Sequence, residues 1–165
     1  MNSIQGANLM TTAEQRIAEL GLVLPKAPKA VTSGYVPWVR TGNTILISGQ
    51  LPWKDAKTLI HEGSIGAGIT VEQAAEACKQ ATLNSIAQIK DAVGDLERVR
   101  CIVRVEGTIS YAPGHINETA KALDGASAVV KGIFGDRGLH TRMLYPVPEI
   151  VFKSPCIIVL QAEVD

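Results

Sequence analysis

Few side chains in this chain are typed and spaced for chemistry, and they gather near its C-terminal end. Arg142 sits in a short β-prone run, residues 140–145, with Met143 and Leu144 beside it. A guanidinium stays charged and offers a planar fork of donors that matches a carboxylate or a phosphate. Arg142 therefore reads as the anion clamp of a site, or as a strand-end arginine that reaches solvent or pairs with a local acid. His140 lies two residues away, and if both side chains leave the strand on one side it is a candidate acid or base. Glu149 and Glu163 are the carboxylates close to this stretch, weak acid candidates because a lone carboxylate more often belongs to a solvated face. Ser48 has no assignable histidine and carboxylate, so a hydrolase triad is not expected. His61, His115 and His140 lack the paired spacing of a zinc site.

Strands and helices must position these groups. Residues 156–164 are apolar at odd and even positions through Leu160, which predicts a central strand covered on both faces. Runs 36–41 and 44–50 flank Gly42-Asn43, a dipeptide suited to the positive φ of a tight hairpin. Thr70 with Gln73 forms a capping box ahead of a long helix ending at Gly94, and its inward face carries Ala74, Cys78, Ala81, Ile86 and Ile89. A second long helix is predicted over 117–134, with Ala120, Leu123, Ala126, Val130, Ile133 and Phe134 inward. Between them, 100–108 alternates as a strand, placing Arg100, Ile102, Arg104 and Glu106 on one face with Ile102 out of pattern. The glycines of 63–68 lack the Gly-Lys-Ser ending and the frame of a phosphate loop.

The predicted order is hairpin, helix, strand, helix, strand, strand: an α+β domain with a mixed sheet and both long helices on one face. Ile45 and Ile47 point one way and Leu46 the other, so the second sheet face would be left apolar. Association through that face is the simplest remedy. Residues 1–24 read as an arm and a short helix, capped by Thr12 with Ile17, Leu20 and Leu24 on one face; residues 25–165 read as a single domain whose first stretch, 25–34, is an extended arm ending at Tyr35.

The 165 residues balance 16 Lys+Arg against 16 Asp+Glu, and aromatics make up 4%, so a nucleic-acid partner is not expected. Cys78, Cys101 and Cys156 are far apart and sit in apolar patterns, as small hydrophobes do in a reducing compartment. With no leader-like start and no long apolar run, the expectation is a cytoplasmic protein with no membrane partner.

Four pieces in order carry a resemblance: Ala27-Pro28-Lys29-Ala30-Val31-Thr32-Ser33-Gly34-Tyr35, the Ile47-Ser48-Gly49-Gln50-Leu51-Pro52 hairpin exit, the Thr70-Val71-Glu72-Gln73 helix start, and Thr141-Arg142 ahead of the last strand. Together, across residues 25–164, they resemble the reactive intermediate deaminase (YjgF/YER057c/UK114) family, in its longer-chain, endoribonuclease-like subgroup. The resemblance implies a chorismate-mutase-like fold and a homotrimer whose sheets form an internal barrel, with sites between subunits. It implies hydrolysis of enamines and imines to 2-oxo acids and ammonia, with a small carboxylate metabolite as partner and no cofactor. By resemblance Arg142 grips the substrate carboxylate, Tyr35 lines the pocket, Ser48 and Gly49 form its floor, and the backbone near Leu144 faces the imine nitrogen. The active members carry a glutamate in the last strand where this chain has Val159, and a cysteine where it has Leu144. That departure leaves two further expectations open: a non-catalytic trimer that binds a small carboxylate as a regulator, and an endoribonuclease-like protein.

Overall fold

The computed structural model describes residues 11–30 and 32–165. Residues 1–10, most of the arm expected at the start, and Val31 of the first motif lie outside them. In chain order the elements are α1 (Ala13–Glu19), β1 (Trp38–Thr41), β2 (Thr44–Ile47), β3 (Ser64–Ile65), β4 (Gly68–Ile69), α2 (Val71–Val93), β5 (Val99–Ser110), α3 (Glu118–Phe134), β6 (Thr141–Val147) and β7 (Cys156–Val164).

The main sheet runs β1-β2-β7-β5-β6, with β6 parallel to β5 and the other pairs antiparallel. β7 is thus central, as its sequence demanded. Its Cys156, Ile158, Leu160, Ala162 and Val164 are fully buried beneath the helices, while Ile157, Val159, Gln161 and Glu163 are half-buried on the other face. The hairpin turns at Gly42-Asn43, where Gly42 has φ +56° and Thr41 pairs with Thr44.

Both capping boxes form, Thr12 with Gln15 on α1 and Thr70 with Gln73 on α2. Residues 81–89 of α2 are buried all round, because the sheet lies on one side and the 25–30 arm and the 51–53 segment on another. The polar members of that stretch are used: the Gln88 Nε2 donates to the Pro28 carbonyl, and the Asn84 Nδ2 to the carbonyls of Leu51 (2.8 Å) and Trp53 (3.2 Å). Among the described residues no helix is long and apolar enough to cross a membrane.

Three expectations change. Ile102 does not share a face with Arg100, Arg104 and Glu106: it is buried with Val105, and Val103 turns outward instead. The cause is two register shifts against β7, between Val99 and Cys101 and between Ile102 and Arg104, each reversing the alternation. On α3, Ala120 is exposed and Thr119 takes the inward place, its hydroxyl donating to the Ile116 carbonyl at 2.6 Å. On α1 the buried pair is Ala13 and Ile17, with Leu20 exposed.

Two consequences of this core are measurable. α2 and α3 approach so closely at Gly125 that a Cβ there would lie 2.4 Å from the Ala75 carbonyl oxygen. Gly125→Ala is expected to destabilise by about 1–3 kcal/mol, seen as a melting temperature several degrees lower. Burial pushes the Cys156 thiol well above its ordinary value, and neighbouring Cys78 adds to the effect. A raised folded-state pKa means stability is fully present below the unfolded thiol's pKa of about 8.5 and is lost as pH rises above it. Melting curves should therefore fall more steeply with alkaline pH for the native chain than for Cys156→Ala.

Candidate functional site

β6 is an edge strand, so half of its backbone groups face away from β5. Arg142 stands opposite Val105 and Leu144 opposite Gly107. Val105 points into the core, and in-register neighbours share a face, so Arg142 leaves the strand on the helix side, at the sheet's margin. There its Nη1 donates to Asp124 Oδ1 at 2.6 Å and lies 3.4 Å from Ser127 Oγ. Asp124 and Ser127 are one turn apart on α3, which brings both to this margin. The Ser127 hydroxyl also sits 3.0 Å from His140 Nε2, while His140 Nδ1 faces the Gly138 carbonyl at 2.7 Å and so carries the proton there. His140 and Arg142 do share a side, joined through Ser127, but both ring nitrogens of His140 are engaged. The Arg142–Asp124 pair is partly solvated, with side chains 34% and 66% exposed. Such a pair is worth about 0–1 kcal/mol, so a ligand carboxylate can replace Asp124 at little cost.

The second group of residues lies elsewhere. Ser48 spends its hydrogen bonds on the chain ahead of β1: its backbone N–H donates to the Pro37 carbonyl at 2.8 Å and its hydroxyl to that of Val36 at 2.6 Å. It thereby fixes the segment that carries Tyr35, rather than offering a free hydroxyl. Gly49 is needed for close approach, since a Cβ there would meet Ile157 Cγ2 at 2.6 Å and Val159 Cγ2 at 3.9 Å. Gln50 is buried, donating through Nε2 to the Ser48 carbonyl at 2.8 Å and pairing with Ile158. Tyr35, Pro37, Gly49, Leu51, Trp53 and Phe152 line a small cleft of about 40 Å³. Val159 adjoins its Gly49 side on the open sheet face, and the cross-strand partner of Val159 is Glu106, which is ion-paired to Arg104.

Within one chain, then, Tyr35, Ser48 and Gly49 come together and Arg142 and Leu144 do not join them. From the end of β2 to β6 is three strand spacings, about 14 Å, and Gly49 abuts the open-face side chains of Ile157 and Val159 while Arg142 leaves on the helix side. Of the other acid candidates, Glu149 is exposed on the crossing to β7, and Glu163 faces Arg100 at 3.8 Å near the far end of β7. Among the described residues no group of three or more histidine, cysteine, aspartate or glutamate side chains could hold a metal ion. The 63–68 glycines form the tight β3–β4 pair instead of an anion cradle: the His115 ring lies where a Gly66 Cβ would be.

Sequence reasoning missed Asp124, Ser127, Glu106, Trp53 and Phe152. Asp124 and Ser127 carried a signal, their i, i+3 spacing on a helix leading directly into the Arg142 strand. Glu106 carried one only once the β5–β7 register was known.

Comparison with known proteins accords with this architecture. Residues 14–164 match the family described as "YjgF/chorismate mutase-like, putative endoribonuclease". Protein TCP17 of Trypanosoma cruzi is 31% identical over 139 residues, spanning 84% of this chain and 85% of that one. Among solved structures, a Shewanella oneidensis protein described as "a putative endoribonuclease" is 40% identical, with a TM-score of 0.88 over 93% of this chain and 99% of its own. An Agrobacterium tumefaciens protein is 29% identical, with a TM-score of 0.85 over 93% of this chain and 94% of its own. The match runs from α1 to the last residues of β7, and the chain accordingly belongs to the YjgF/chorismate mutase-like family and has its α+β fold.

Proposed function

We propose that this protein binds a small 2-imino or 2-oxo acid in a site shared between copies of the chain, as a homotrimer, and hydrolyses the imine slowly. The observation that carries the reading is Arg142: a guanidinium on an edge strand, partly exposed and held, among the described residues, by a solvated acid and a hydroxyl. A second copy is required because Tyr35 and Gly49 of the same chain are out of its reach. The open sheet face supplies a surface for that copy, with Val39, Leu46, Met143 and Tyr145 all more than 40% or at 40% exposed.

In this reading Arg142 holds the substrate carboxylate through two parallel N–H donors, which fixes the imine carbon against the Tyr35–Gly49 cleft. Water adds to the C=N carbon, the nitrogen takes the proton, and collapse releases ammonia and leaves the 2-oxo acid. Val159 can neither take nor give a proton, so no side chain in its position assists the water. Since binding ground state and transition state equally does not speed the chemical step, binding should exceed catalysis.

The same Val159 favours a second reading, a carboxylate-binding trimer without turnover. The ribonuclease reading carried by the relatives' descriptions draws no support from the zero formal charge.

One experiment tests the proposal. The purified protein is added to a lyase that generates 2-aminoacrylate, ammonia release is timed, and pyruvate binding is measured in parallel. The proposal expects saturable pyruvate binding and ammonia release modestly above the spontaneous rate. Binding without any acceleration selects the non-catalytic trimer, and the absence of both overturns the proposal.

A further inference from the structure

The crossing from β6 to β7 contains two consecutive non-glycine residues in the left-handed region, Phe152 at φ +60° and Lys153 at φ +53°. This conformation is costly for bulky side chains, and the ring it presents is 60% exposed, so burial does not offset it. The turn is imposed from outside. The Gly63 N–H donates to the Lys153 carbonyl at 2.8 Å, and the Ser154 hydroxyl to the Cys156 carbonyl at 2.8 Å. Ser110 Oγ donates to the Ser154 carbonyl at 3.2 Å.

The result is a Phe152 ring set against Trp53, with centroids 5.7 Å apart and planes tilted by 59°. Trp53 is fixed in turn. Asn84 holds its carbonyl, and the Asp55 carboxylate accepts the backbone N–H groups of Lys57 and Thr58, both at 2.8 Å. The Lys57 N–H and then the Thr58 donors hold the Asp55 carboxyl below its ordinary pKa, so that turn is intact at neutral pH.

Both rings border the Tyr35–Gly49 cleft. It shares Pro28, Lys29, Ala30 and Trp53 with a larger cleft of about 520 Å³ between the 25–30 arm and residues 53–56. The chain has two Trp, three Tyr and two Phe, seven aromatic side chains in all. Three of those seven meet at this one place, which scattered surface aromatics would not do. Lys26, Lys29 and Lys54 line the larger cleft against the single acid Asp55, giving it a positive balance.

We propose that Trp53 and Phe152 form the side-chain subsite of the carboxylate site, and that the preferred ligand is a 2-imino or 2-oxo acid with a planar, apolar side chain. This rests on the carboxylate-binding reading above. The small cleft admits a head group of a few atoms, the tilted rings give a flat substituent edge and face contacts, and the lysines favour an anion. A ligand of 2-aminoacrylate size would leave the rings uncovered.

The test titrates the native chain, Phe152→Ala and Phe152→Leu with phenylpyruvate and with pyruvate by calorimetry. The native protein is expected to bind phenylpyruvate about tenfold more tightly than pyruvate. Phe152→Ala should lose more phenylpyruvate affinity than pyruvate affinity and so remove most of that preference, and Phe152→Leu should keep part of it. Equal native affinity for the two probes, or an equal loss of both in Phe152→Ala, overturns the subsite while leaving the carboxylate site standing. Binding of neither probe overturns the underlying reading and the subsite with it. A lower assembled mass for Phe152→Ala, with discrimination unchanged, shows that the rings pack on a second copy and contradicts the proposal.

Discussion

Arg142→Ala is expected to weaken binding of a 2-oxo acid by about 100-fold and to leave the fold intact. Hydrogen bonds to charged groups contribute about 1.5–3 kcal/mol each, so even at the lower end losing a bidentate pair costs about 3 kcal/mol, or about two decades of affinity. The stability change should be small, because the pair broken in the free protein, Arg142 with Asp124, is solvated. Arg142→Lys should fall between, keeping the charge but not the fork. Asp124→Asn offers the opposite sign: with its internal competitor neutralised, Arg142 should bind a ligand carboxylate more tightly than in the native chain. Isothermal titration with pyruvate and phenylpyruvate reads all three variants. Unchanged affinity in Arg142→Ala would place the carboxylate clamp elsewhere.

The second large effect is a gain. Val159→Glu is expected to raise imine hydrolysis by about 100-fold, the lower end of what a positioned acid or base supplies. Val159 is half-buried and abuts the Gly49 side of the cleft, so a carboxylate there would face the bound imine. Its cross-strand partner is Glu106, and a second carboxylate directly opposite is pushed towards higher pKa by like charge. Arg104, already engaged by Glu106, limits that effect. The engineered rate should therefore rise with pH through the acidic range as the new carboxylate ionises and serves as base, a limb the native rate lacks. Ammonia release from enzymatically generated imines, followed from pH 5 upward, measures both. A native rate that Val159→Glu does not improve would mean that water is activated by another group, with Glu106→Gln the next variant to make.

The elements that hold this site were legible where local chemistry is self-sufficient. Thr70 and Gln73 specify a helix start within four residues, Gly42-Asn43 specifies a turn within two, and β7 is apolar on both faces because a central strand must be. β5 was legible only in part. Its two register shifts depend on how β7 pairs with it, and nothing within residues 99–110 announces that Ile102 and Val105 share a face three residues apart. The site divided in the same way. Arg142 stood out by its type and by the strand around it, whereas Asp124, which holds it, is chosen by the packing of α3 beside β6. Trp53 and Phe152 are brought together by a turn whose left-handed backbone carries no glycine or asparagine to signal it. Tyr35 and Arg142 were both visible in the sequence, yet one chain keeps them apart.

That separation makes the shared site the claim on which the account turns, and a cross-link measures it. Tyr35→Cys and Arg142→Cys are introduced singly and together, and each protein is treated with a short bifunctional maleimide. Native Cys78 and Cys156 are buried and Cys101 is half-buried, so the parent chain treated with the same reagent serves as the control for Cys101. If Arg142 of one copy completes the Tyr35–Gly49 cleft of the next around a closed ring, the doubly substituted chain will yield covalent species of up to three chains on a denaturing gel, and each singly substituted chain will run as one. A doubly substituted protein that stays at the mass of a single chain would contradict the shared site.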